Sequence, residues 1–211
     1  MRRLIAVAVG LAVAATTVGA LAAPAAAAAD TSLPVGTFAV SGTRTATTPH
    51  CVDEAIAVGS TKAPAPRACF ATFAESIAYA TGGAVALAQD ATTVTQQQLD
   101  AGYAARRSTM ARAGVTPLVT VIIGISYQNT GFTGATTTHP TSSDCDTNAD
   151  VDFFINQVTA ANNNTYGSAQ AFGQCQGTYY DLPNRPAGSA RVNTPWSGGA
   201  MDNRTSSQEW V

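Results

Sequence analysis

The chain has 211 residues, 11 basic against 13 acidic, for a formal net charge of -2; only 11% of its residues are charged while 45% are hydrophobic. An ordinary soluble domain is about 25% charged, and the apolar share here comes largely from alanine rather than from large core residues. Near-neutrality without a basic stripe excludes a nucleic-acid partner, because displacing phosphate counterions needs clustered Lys and Arg.

The first predicted element is an export signal. Arg2 and Arg3 form a positive start, 4–21 is apolar and uncharged, and 25–29 offers Ala-x-Ala cleavage sites before Asp30. A transmembrane anchor fits less well, since no basic stop-transfer cluster follows. The paired arginines lack the polar residue that twin-arginine export expects before them. Sec export with removal of 1–29 is therefore expected, giving a secreted, extracellular protein with no remaining membrane span.

Residues 30–66, rich in Thr, Pro, Ala and Ser, read as an extended arm with one short strand at 36–40. Phe70, Phe73, Ile77 and Ala80 then recur at helical spacing, and Gly82-Gly83 supplies the stop. Thr95 and Gln98 form a capping box that opens a second helix, which carries Leu99 and Tyr103 and runs through Ala113 to Gly114 and Pro117. Its Arg106, Arg107 and Arg112 read as a solvated face. Residues 67–117 thus form a small helical region, and the N-terminal half reads as a propeptide, a folding aid or a permanent small domain, with Arg67 and the Arg106-Arg107 pair as candidate processing sites. Past Pro117 the character changes to short β segments at 118–127, 134–139, 177–181 and 190–194, separated by Gly, Asn, Asp and Pro. That alternation implies an all-β sandwich or Greek-key unit over 118–211.

Export places the four cysteines, Cys51, Cys69, Cys145 and Cys175, in an oxidising compartment, where they read as disulfides rather than metal ligands or catalytic thiols. Three pairings are open. The composition break near Pro117 leaves two cysteines on each side, so the simplest pairing is Cys51 with Cys69 and Cys145 with Cys175. Each would contribute on the order of 2 to 4 kcal/mol by the chain-entropy argument.

The β half repeats itself. Residues 127–134 (YQNTGFTG) carry an aromatic opening a hairpin, a second aromatic, and a glycine where the chain folds back; 180–188 repeats this with one residue inserted. A second element follows each: Asn163-Asn164-Thr165-Tyr166-Gly167-Ser168 and Asp202-Asn203-Arg204-Thr205-Ser206-Ser207. This pair of signatures resembles the Greek-key motif of the β/γ-crystallin superfamily. Within it, 118–211 is most similar to small secreted actinobacterial crystallin-like proteins of the metalloproteinase-inhibitor type, through Gly124-Ile125-Ser126-Tyr127, Asp144-Cys145-Asp146, Asp150-Val151-Asp152 and the 201–207 segment. The resemblance implies two Greek-key motifs packed as two four-stranded sheets, each motif lending one strand to the other sheet. Ser168 and Ser207 are then structural ties, and Cys145 with Cys175 staples the two motifs.

The resemblance also implies a cofactor. In many such domains the two turns form Ca²⁺ sites, as suits a hard cation that wants a cage of oxygens. The ligand set here is Asn163 and Asn164 in the first turn and Asp202, Asn203 and Ser206 in the second. The first departs from the pattern, with neutral amides for an acid and Gly167 where a hydroxyl would contribute. Asp144, Asp146, Asn148, Asp150 and Asp152 alternate like a calcium loop, but Ala149 and Ile155 stand where an EF-hand needs Gly and Glu.

Catalytic residues are not expected. His50 and His139 are the two imidazoles, with no His-Glu-x-x-His helix and no Gly-x-Ser-x-Gly elbow, since 124–128 lacks the closing glycine. The expectation is a secreted, monomeric, non-enzymatic peptidase inhibitor or extracellular protein-binding module, presenting the 144–150 loop or the Cys175 region to a protease. The alternative is a Ca²⁺-binding structural or envelope-associated protein, for which Trp196 and Trp210 would be contact residues if exposed, or core residues otherwise.

Overall fold

The computed structural model describes residues 49–114 and 120–211. The signal segment, the strand expected at 36–40 and Pro117 lie outside those residues. In chain order the elements are β1 (His50–Val52), β2 (Ile56–Ala57), β3 (Ala68–Phe70), α1 (Phe73–Ala80), α2 (Gln96–Arg112), β4 (Val121–Asn129), β5 (Thr133–Thr141), β6 (Phe153–Ile155), β7 (Ser168–Ala171), β8 (Gly177–Tyr180), β9 (Arg191–Asn193), β10 (Trp196–Ser197) and β11 (Ser207–Trp210). One sheet has the order β10-β7-β4-β5-β1-β3 and the other β2-β6-β11-β8-β9. Strands β4 to β7 and β8 to β11 are two successive sets of four. The third strand of each, β6 or β10, lies in the sheet of the other set, so each sheet contains strands of both sets.

Two cores follow from the faces of β4. Ile122, Ile125 and Tyr127 pack with Phe73 and Ile77 of α1 and Leu99 and Tyr103 of α2, while Ile123 packs with Phe153 and Trp210 between the sheets. Strict alternation would not give this division. A register shift between Ile122 and Gly124 places an extra residue in β4 and changes its phase, so Gly124 and Ser126 join Ile123 on the inner face. The small size of Gly124 is required there. A Cβ would lie 2.8 Å from Trp210 Nε1, and one on Gly177 of β8 would lie 3.0 Å from the same atom, so the indole fits only against two bare backbones.

Both helices begin with reciprocal capping boxes, Thr72 with Glu75 and Thr95 with Gln98. Helix α2 buries only Leu99 and Tyr103, and Tyr103 Oη accepts the Ile122 N–H at 2.9 Å where the β4 ladder is interrupted. Arg107 and Arg112 are exposed, in keeping with a solvated face, whereas Arg106 donates to the Gly82 carbonyl.

The described part of the stretch read as an extended arm is instead built into both sheets. Strand β1 runs parallel to β5, pairing Cys51 with Thr137 and Val52 with Thr138, and β3 closes that edge. Strand β2 pairs with β6 in the other sheet. These strands are two or three residues long with no alternation of their own; their backbone groups are satisfied by distant partners, which local sequence does not reveal. The compositional break near Pro117 is therefore not a break between sheets. Cys51 is bonded to Cys69 and Cys145 to Cys175, closing separations of 18 and 30 residues. No helix among the described residues is long and apolar enough to cross a membrane.

Candidate functional site

The two Asn/Asp-rich turns meet back to back. Asn164 N–H donates to the Thr205 carbonyl at 3.0 Å and Asn203 N–H donates to the Tyr166 carbonyl at 2.8 Å, a reciprocal exchange between equivalent positions. Asn164 and Asn203 adopt φ of 58° and 55°, left-handed values that asparagine tolerates better than most residues. Asn163, Asn164 and Asn203 are exposed, Asp202 is half-buried and Ser206 is buried. Gly167 is confined: a Cβ there would lie 2.7 to 2.9 Å from backbone atoms of Gln128, Asn129 and Thr130, so packing forbids a side-chain oxygen at that point of the first turn. Among the described residues, the Asp202 carboxylate makes no hydrogen bond or ion pair. The repeated serines tie each hairpin. Ser168 Oγ donates to Asn129 O at 2.6 Å and accepts Phe132 N–H at 3.0 Å, and Ser207 Oγ donates to Leu182 O at 2.6 Å and accepts Arg185 N–H at 3.2 Å.

A serine and a histidine also meet, though sequence spacing gave no hint of it. Ser126 Oγ lies 3.1 Å from His139 Nε2 and 3.1 Å from Tyr179 Oη, and His139 Nδ1 lies 3.3 Å from the Asp53 carbonyl. A carbonyl only accepts, so the neutral ring carries its proton on Nδ1 and the chain runs Tyr179 to Ser126 to His139 to Asp53 O. Ser126 and His139 have no exposed surface. Burial, with a smaller push from Arg67, takes the His139 pKa down to about 3 against the opposing Asp53 carbonyl bond. The ring is neutral, its orienting partner is a backbone carbonyl rather than a carboxylate, and the hydroxyl faces the core. Such an arrangement satisfies buried polar groups.

The 142–152 loop carries Asp144, Asp146, Asp150 and Asp152 and no basic residue. Its alternating acids are turn formers: Asp152 accepts Asp146 N–H at 3.0 Å, Asp146 accepts Asn148 N–H at 2.9 Å, and Asn148 accepts Asp150 N–H at 2.6 Å. Asp144 accepts the N–H groups of Cys145 and Gln174 beside the disulfide. Asp144 Oδ also clusters with Cys145 and Cys175 sulfurs, but those are spent in the disulfide and are not metal ligands. Trp196 and Trp210 are buried, so neither offers an aromatic contact face.

A cleft of about 300 Å³ opens between the 53–67 segment and the end of β6, over His139 and Tyr166. Its walls include Ile56, Pro64, Ala65, Ile155 and Val158, and its polar groups include Asp53 and Arg67. Arg67 is engaged: it donates to Thr159 Oγ1 and, at 2.9 Å, to Asn162 Oδ1, and its Nε lies 3.7 Å from Asp53 Oδ1. Burial raises the Asp53 pKa and Arg67 pulls it back. Sequence reading marked Arg67 only as a processing site and missed Asp53, because the two converge through pairing of β1 and β3 with the sandwich.

No family model matches the chain, and no curated protein matches it. Among solved structures, the N-terminal domain of protein S is similar at 16% identity with a TM-score of 0.30, the match covering 42% of this chain and 94% of that one.

Proposed function

We propose that the chain is an exported, non-enzymatic protein whose sandwich is a β/γ-crystallin-type double Greek key, and that it binds an extracellular macromolecule in the manner of a peptidase inhibitor. The exchange of β6 and β10 and the paired serine ties support the fold reading. The functional reading is carried by one observation, the succession of side-chain-capped turns from Asp146 to Asp152 anchored by Cys145–Cys175. A loop already held in one shape loses less conformational entropy on docking, which is how an inhibitor loop gains affinity. Ser126 and His139 are fully buried and the ring is oriented by a backbone carbonyl rather than a carboxylate, which supports binding over turnover.

The test is titration of the mature protein against secreted metalloproteinases and serine proteases. Stoichiometric inhibition that weakens about tenfold in Asn148→Ala, which removes the central cap, supports the reading. Turnover of a peptide, glycan or ester by the purified protein would overturn it. A second reading, Ca²⁺ binding at the second turn, is favoured by the unengaged Asp202 carboxylate. There the melting temperature should rise in millimolar Ca²⁺, and Asp202→Ala should remove most of the rise; no rise leaves the turns structural.

A further inference from the structure

The cleft over Tyr166 combines an apolar wall with an acceptor that the protein leaves short of donors. Asp53 is only 15% exposed at its side chain, yet Oδ1 has a single cationic neighbour at 3.7 Å, beyond hydrogen-bond reach, and Oδ2 has no donor among the described residues. Neither oxygen is sealed from solvent, and Asp53 lines the cleft, so its acceptor capacity is open to whatever enters there. Arg67 does not fill it, because its two terminal nitrogens are directed to Thr159 and Asn162. Glu54, at the same cleft, is satisfied by Lys62 at 3.2 Å and by Ala65 N–H at 2.7 Å. Of the cleft's two acids, Asp53 is therefore the one left with unmet acceptor capacity, and Ile56, Pro64, Ile155 and Val158 line the same cleft.

We infer that this cleft is a binding site for an alkyl chain ending in a cation, a primary amine or a lysine-like side chain, with the apolar stem against Ile56, Ile155 and Val158 and the ammonium donating to Asp53 Oδ2. The volume, about 300 Å³, accommodates a four- or five-carbon amine, a small ligand of the kind that concave, mostly apolar sites with few polar groups take. An alkyl carboxylate of the same length is disfavoured, because it would meet the like charge of Asp53 while the terminal nitrogens of Arg67 are committed to Thr159 and Asn162. The inference does not depend on the 142–152 loop and concerns a different part of the surface.

The test is an NMR or calorimetric titration of the full mature protein with three probes: n-butylamine, Nα-acetyl-lysine methyl ester and valerate. Saturable binding of either amine, with none of valerate, supports the site; the blocked lysine binding as well identifies a protein side chain as an eligible occupant, and butylamine alone restricts the site to free amines. Asp53→Asn should weaken the amine at least about tenfold. Ala65→Phe, at an exposed position on the rim, should block entry without touching Asp53, and guards against a folding defect in the first variant. Failure of both amines to bind, equal binding of valerate, or binding unchanged in both variants would overturn the inference.

Discussion

Single buried residues set how this protein responds to its medium. His139 has a folded-state pKa near 3 against 6.5 for the free side chain, so the unfolded chain binds a proton over that interval that the folded chain does not. Stability is fully present above pH 6.5 and falls as pH drops from 6.5 toward 3, by up to about 1.4 kcal/mol per pH unit, or about 2 kcal/mol by pH 5. His50, also lowered by burial, adds in the same sense, while the raised pKa of Asp53 works against it. Urea unfolding at pH 7, 6 and 5 should show this decline, and His139→Gln should flatten it by about one proton; identical slopes would mean that the ring is not buried neutral. A second residue, Gly167, bears on the turn chemistry. Gly167→Ser adds a hydroxyl to the first turn, but its Cβ would collide with the backbone of 128–130. The substitution should therefore destabilise by about 1 to 3 kcal/mol and confer no metal response, as read by melting with and without Ca²⁺.

At the scale of elements, the repeated hairpin is held by one hydroxyl per copy. Removing Ser168 Oγ strands the half-buried Phe132 N–H, and removing Ser207 Oγ strands that of Arg185; Phe132 and Arg185 sit at φ of 59° and 52°, conformations a side chain resists unless the surroundings hold it. Ser168→Ala and Ser207→Ala should each cost about 1 to 3 kcal/mol in chemical denaturation. A negligible cost at both would show that the hairpins fold without the ties. These serines, and the helix start at Thr95, were legible because a cap or a turn is written within a few consecutive residues; apolar spacing gave the first helix from Phe70, and its cap at Thr72 was missed. The same holds for β4, β5, β8 and β9, whose segments lie within a few residues of the expected ones. Strands β6 and β10 were not legible: two or three residues long, they take their backbone partners from the opposite set. The Ser126–His139 contact was hidden for a related reason, since it rests on both the β4–β5 register and the phase change at Gly124, neither of which composition or periodicity reports. The acids of 144–152 were legible as a pattern but ambiguous in meaning, as capped turns and cation ligands use the same residue types.

For the molecule as a whole, the question is whether the N-terminal half can be removed, and the segment before α1, where Arg67 offers a candidate cut, is the first part of it to ask about. A propeptide folds apart from what it leaves behind. Here β1 and β3 complete one sheet and β2 the other, Val52 enters the core beneath α1, and Arg67 is bound to Thr159, Asn162 and Asp53. A protease needs its target bond in an exposed, extended loop. The Arg67–Ala68 bond runs straight into a paired strand with the arginine held down, so trypsin should leave it intact in the native protein and cut first after Lys62, whose side chain is 74% exposed. That cut should not release anything, because Cys51 and Cys69 lie on opposite sides of it. Non-reducing electrophoresis should show one band and reducing electrophoresis two, with near-ultraviolet circular dichroism unchanged. Reduction should then loosen the fold as well as the covalent link, since losing β1 and β2 uncovers the edges of β5 and β6, whose unpaired backbone groups would invite association between chains. If the N-terminal piece instead departs and leaves a folded, monomeric remainder, the segment is a removable propeptide and the sandwich is complete without it.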